Sequence, residues 1–102
     1  MTRRLRILDE ASAEAMAAMA WYERERKGLG VEFAQAIDRV LSLIKTGLAP
    51  MSPMPGALGA RGLKRLLLQK FPYTVVVRET ADEYQIIAIA HQSRRPGYWM
   101  NR

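Results

Sequence analysis

Residues 9–46 read DEASAEAMAAMAWYERERKGLGVEFAQAIDRVLSLIKT, and their pattern is that of two helices in succession. From Glu10 to Lys27 nearly every residue is a strong helix former, with six alanines and two methionines among them. Asp9 stands where an N-cap belongs, and Gly28 where a helix ends on a C-cap glycine. The spacing then predicts a second helix from about Gly30 to Thr46. Phe33, Ile37, Val40, Leu41, Ile44 and Leu48 recur at intervals of three and four and make one apolar face. Glu32, Gln35, Asp38, Arg39, Ser42 and Lys45 fall largely elsewhere, and Gly47 and Pro50 close the helix. A link as short as Gly28-Leu29-Gly30 makes the two helices an antiparallel hairpin.

Working outward, Leu5-Arg6-Ile7-Leu8 reads as a first strand. After the hairpin, residues 49–60 hold three prolines and two glycines, which predicts a loop, with Met51 and Met54 available to anchor it. Three strands follow: Leu63 to Gln69, Tyr73 to Glu79 with Val75-Val76-Val77, and Tyr84 to Ala90 with Ile86, Ile87 and Ile89. Breaks at Phe71-Pro72 and Thr80-Ala81-Asp82-Glu83 are short enough for an antiparallel meander. The expected architecture is a single α+β domain over residues 1–102, with an N-terminal strand and an α-helical hairpin packed on a small, mostly antiparallel sheet. A chain of this size buries only about 60–65% of its unfolded surface. No further element is left to cover the sheet's second face, and Leu66-Leu67-Leu68 makes both faces of its strand apolar. That reading favours a partner on the bare face.

Composition narrows the chemistry. The 102 residues contain no cysteine, which excludes disulfides, thiolate metal sites and a cysteine nucleophile. The lone histidine, His91, excludes any site needing two imidazoles from one chain, which removes the usual catalytic zinc arrangements; no metal and no cofactor is expected. Net charge is +6, carried mostly by residues 52–102, where eight basic groups face three acidic ones. Such a half-chain attracts a polyanion or an acidic protein partner. The start Met1-Thr2-Arg3-Arg4-Leu5-Arg6 is basic like a signal peptide, but Asp9, Glu10 and Glu14 interrupt the apolar core that one needs. The uncharged run from Thr46 to Ala60 is too rich in proline and glycine for a membrane helix. A cytoplasmic protein without membrane contact is the expectation.

The chemistry-bearing stretch is His91-Gln92-Ser93-Arg94-Arg95-Pro96-Gly97-Tyr98-Trp99. It gathers an imidazole, two guanidiniums, a phenol and an indole just after a buried strand. Pro96-Gly97 is a turn that folds Tyr98 and Trp99 back. Trp99 reads as a packing residue. Arg94 and Arg95 suit phosphate contacts or plain solvation equally. His91 reads first as a satisfied strand-end residue and second as a general base. Lys64, Arg65 and Arg78, on strands, join the C-terminal arginines in one basic surface only if all share a face.

Trp21-Tyr22-Glu23, Gly28-Leu29-Gly30 with Glu32-Phe33, Phe71-Pro72-Tyr73 and the closing AHQSRRPGYW of residues 90–99 resemble, in that order, the RelE/ParE superfamily of toxins from type II toxin–antitoxin modules. The resemblance covers nearly the whole chain. It implies a growth inhibitor neutralised by a ParD-like antitoxin, whose acidic amphipathic segment wraps the toxin in a hetero-oligomer that reaches operator DNA through the antitoxin. A ParE-like member poisons DNA gyrase by binding. Lys64, Arg65, Arg94 and Arg95 are then the partner- or target-binding candidates. A RelE-like member cleaves mRNA on the ribosome, and Arg78, His91 and Tyr98 are then the catalytic candidates. No lysine stands between Lys45 and Lys64, where some RelE-like nucleases carry one, and this departure favours the ParE-like branch.

Overall fold

The computed structural model describes residues 3–102. Met1 and Thr2, the first two residues of the basic start, lie outside the described residues. The elements run β1 (Arg4–Ile7), α1 (Asp9–Glu25), α2 (Leu29–Lys45), β2 (Ser52–Pro53), α3 (Ala57–Ala60), β3 (Leu63–Leu67), β4 (Tyr73–Glu79) and β5 (Glu83–His91). The five strands lie in the order β1-β5-β4-β3-β2, with β1 parallel to β5 and every other pair antiparallel. The expected α+β architecture is therefore the one observed.

The helical hairpin is tight because two glycines permit it. A Cβ on Gly30 would stand 2.7 Å from the Met19 carbonyl oxygen, so only glycine lets α2 begin this close to α1. Gly28 takes φ 90° and serves as the N-cap of α2, rather than the C-cap expected for α1, a place that Arg26 takes. The first amides of α2 are satisfied from the other helix. Glu23 accepts from the Gly28 N–H at 3.0 Å and from the Gly30 N–H at 3.0 Å. Asp9, expected as a cap, is the first residue inside α1, where its charge complements the positive end of the helix.

One layer of core lies between hairpin and sheet. Phe33, Ile37 and Ile44 of α2 meet Val75, Val77, Ile86 and Ile89 of the sheet. At one end Tyr22, Phe33, Phe71 and Tyr73 interlock with ring centroids 5.0–6.2 Å apart. This cluster is what Phe71-Pro72-Tyr73 contributes to the fold.

The second face is where the structure corrects the sequence reading. It is covered by the chain itself. Met54, Leu63, Val76, Ile87, Ala88 and Trp99 form a second buried cluster, with Leu58 and Tyr98 against it. Residues 49–60 are not a plain loop: Ser52–Pro53 adds a short edge strand to β3, and Ala57–Ala60 makes one helical turn. Proline is tolerated in β2 because that strand sits at the sheet's edge. A Cβ on Gly59 would fall 2.0 Å from the Met54 carbonyl oxygen, so glycine there lets the segment fold onto the sheet. The pairing of β4 with β5 skips Ile87, which brings Ile87 and Ala88 together onto this face. Of the Leu66-Leu67-Leu68 run, only Leu67 remains exposed.

Candidate functional site

The nine residues singled out by sequence build the outer wall of the molecule where β5 ends. His91 closes β5 with its ring edge-on to Tyr73 at 5.1 Å. Its Nδ1 accepts the Ser93 N–H at 3.0 Å and lies 2.7 Å from the Ser93 hydroxyl. The chain turns there, with the Arg94 N–H donating to the His91 carbonyl at 3.0 Å. A further turn at Gly97 (φ 87°) sends Trp99 into the second core. The packing reading of Trp99 holds.

Tyr98 and Arg102 converge on a residue that the sequence reading passed over. Glu14 of α1 accepts the Tyr98 hydroxyl, the Arg102 guanidinium at 2.8 and 3.2 Å, and the Ile89 N–H at 3.0 Å. Arg102 also donates to the Ile87 carbonyl at 3.2 Å. Ile89 N–H and Ile87 C=O lie on the part of β5 that β1 does not reach, since that pairing ends at Ile86. The Glu14–Arg102 pair thus takes the place of a neighbouring strand. Burial first, and then the hydrogen bond to Glu14, push the Tyr98 hydroxyl up to about 12. The bond to Glu14 likewise raises Arg102. A signal for Glu14 exists in the sequence. It falls on the buried stripe Ala11, Glu14, Ala18, Tyr22, spaced three, four and four, where a carboxylate needs a partner.

Two grooves flank this wall. The larger, about 550 Å³, runs between α1 and the end of β5, floored by Ala17, Ala18, Tyr22 and Ile89 and flanked by Trp21, which is 49% exposed. The smaller, about 280 Å³, lies on the opposite face, above Trp99 and Val76. Its cations are Arg65, Arg94 and Arg95, and no carboxylate lines it. Among the described residues, neither Arg65 nor Arg95 forms an ion pair.

The basic surface expected from sequence is therefore assembled in part. Arg65, Arg94 and Arg95 share one groove with His91. Lys64 does not join them, because alternation along β3 sends it to the hairpin face. There it binds Glu79 at 2.8 Å, beside Arg3 on the same carboxylate. These two cations hold Glu79 below its ordinary range. Arg78 lies on the Arg65 face but contacts Gln85 at 3.3 Å. His91 pairs with Tyr73 at the far end of β4, so Arg78 stands roughly 17 Å along the strand from it, at about 3.3 Å per residue. Arg78, His91 and Tyr98 do not meet at one point. Among the described residues no group of His, Cys, Asp and Glu is placed to hold a metal ion, and no helix is long and apolar enough to cross a membrane.

The fold is thus a two-helix hairpin on a five-stranded, mostly antiparallel sheet whose other face is sealed by a loop and the C-terminal segment. Among solved structures it is similar to a chain of the chromosomal ParDE TA system from P. aeruginosa. The TM-score is 0.74, with 18% sequence identity, over 88% of this chain and 96% of that one. The two chains share a fold. No family model matches the sequence, and no curated protein matches it.

Proposed function

We propose that this chain is the toxin of a type II toxin–antitoxin module, of the ParE-like kind. In this reading it inhibits bacterial growth by binding and poisoning DNA gyrase, and a ParD-like antitoxin neutralises it. The observation that carries the reading is the fold shared, over nearly its whole length, with a chain of a ParDE TA system. The surfaces agree with it. The apolar groove beside Trp21, flanked by His91 and Arg94 and with Glu14 in its lining already paired to Arg102, suits an amphipathic acidic segment, with apolar side chains on its floor and a carboxylate at its cationic wall. The groove of Arg65, Arg94 and Arg95 is the surface offered to the target.

Binding is favoured over RNA cleavage. Cleavage needs a base, an acid and cations around one phosphate. Here Arg78 lies far along β4 from His91, and the Tyr98 hydroxyl is bound to Glu14 and titrates near 12. The test is induction in a bacterial host, with and without the adjacent small reading frame. Arrested growth, rescued by the adjacent product and accompanied by gyrase-dependent DNA damage, is expected. Cuts in translated mRNA that vanish on changing His91 or Tyr98 would move the chain to the RelE-like branch. Unchanged growth would remove it from the toxins.

A further inference from the structure

His91 and Arg94 form a wall common to both grooves. The two residues are not equally fixed. His91 is held by Ser93 and Tyr73. The Arg94 side chain is 55% exposed, lies over the Tyr98 ring at 3.8 Å, and comes no closer than 3.8 Å to Glu14. Glu14 has little need of it, since Arg102, Tyr98 and the Ile89 N–H already serve that carboxylate. Arg94 is thus the one cation that touches both grooves without a close carboxylate partner of its own.

We propose that Arg94 is a shared cation that couples the two grooves. A carboxylate of an acidic segment seated in the apolar groove draws its guanidinium to that side and strips it from the cationic groove. An anion held there is then released, although the two ligands occupy opposite faces. This rests on the reading that an antitoxin's acidic segment fills the apolar groove. The driving force is the gain of a close, charge-assisted pair, which outweighs the 3.8 Å approach to an already neutralised carboxylate and the stacking on Tyr98 that it replaces. Such coupling typically amounts to about tenfold in affinity and acts equally in both directions.

The experiment uses a fluorescent single-stranded DNA oligonucleotide as the probe of the cationic groove. The other ligand is a synthetic peptide of the acidic C-terminal segment encoded by the adjacent reading frame. With the wild-type chain, saturating peptide is expected to weaken oligonucleotide binding about tenfold. Arg94→Gln is expected to bind the oligonucleotide more weakly and to show no further loss with peptide. Arg95→Gln is expected to bind more weakly yet keep the full loss. The coupling is overturned if peptide binds the wild type without weakening the oligonucleotide, if Arg94→Gln keeps the wild-type loss, or if Arg95→Gln also abolishes it. An oligonucleotide that never binds the wild type overturns it too. A peptide that fails to bind the wild type refutes the underlying antitoxin reading, and the coupling with it.

Discussion

Replacing Trp99 with alanine tests whether this chain completes its own sheet. The indole is 2% exposed and packs with Met54, Val76, Ile87 and Ala88. Removing a fully buried tryptophan costs about 3–5 kcal/mol, as lost transfer free energy plus the cavity left behind. A domain of this size has a total stability of roughly 5–15 kcal/mol. The variant should therefore lose about a fifth or more of its stability, with a fall in Tm on the order of 12 °C or greater. Urea unfolding of the free chain, followed by circular dichroism, reads this directly. The midpoint should fall while the slope stays near the wild-type value, because the surface exposed on unfolding barely changes. Met100→Ala is the control, since that neighbour is about half exposed and its loss should stay within about 0.5 kcal/mol. A Trp99→Ala loss below about 1 kcal/mol, close to the Met100 control, would show that the indole does not seal this face. It would return the second face to the bare state that the sequence suggests.

Three more outcomes follow from particular contacts. Glu14→Gln removes the charge that holds Tyr98 and Arg102, so the Tyr98 hydroxyl should titrate below its present value of about 12, seen as earlier tyrosinate absorbance in a pH titration. The same variant should lose about 1.5–3 kcal/mol in thermal unfolding, the size of a hydrogen bond to a charged group. Gly30→Ala sets a methyl group 2.7 Å from the Met19 carbonyl oxygen and should cost about 1–3 kcal/mol by splaying the hairpin; a variant as stable as wild type would show that the helices are not in this close contact. Glu79 titrates below its ordinary 4.5 because Lys64 and Arg3 bind its ionised form. Its contribution is then present above about pH 4.5 and is lost as pH falls through the lower folded value. Stability measured down this range should fall less steeply in Glu79→Gln than in wild type.

The sequence exposed what is periodic and hid what is side-chain specific. The two helices followed from three-and-four spacing, and β4 from its valine run, because those patterns are fixed by backbone geometry. The boundary at Gly28 was misplaced, since a glycine that ends one helix and a glycine that starts the next look alike when only two residues separate them. The folded state of residues 49–60 was hidden for a different reason. Proline and glycine forbid long regular elements, yet two edge residues and one helical turn suffice to carry Met54 and Leu58 onto the sheet. In the site, the grouping of Arg65 with Arg94 and Arg95 was conditional on register, and register placed Lys64 on the other face. The place of Glu14 on a buried helix stripe is legible, but its partners lie more than seventy residues away, beyond any local pattern.

The way the sheet edges are closed decides how a partner can reach this molecule. An exposed strand invites another chain to add to it through backbone hydrogen bonds. One outer strand, β2, is two residues long and contains Pro53, which has no N–H to offer. The other outer strand, β1, is four residues long, and the stretch of β5 beyond it is occupied by Glu14 at the Ile89 N–H and Arg102 at the Ile87 carbonyl. A partner strand pairing along β5 beyond Ile86 would have to break the Glu14–Arg102 pair, in which both side chains are less than one-fifth exposed, before gaining a rung there. Breaking such a pair leaves a poorly solvated charge behind, a cost of several kcal/mol against about 1 kcal/mol for each hydrogen bond gained. Side-chain docking into the two grooves meets no such barrier. Recognition of this chain should therefore depend on the residues of the grooves, Trp21 and Arg94 before all, and not on strand pairing along β5 beyond Ile86.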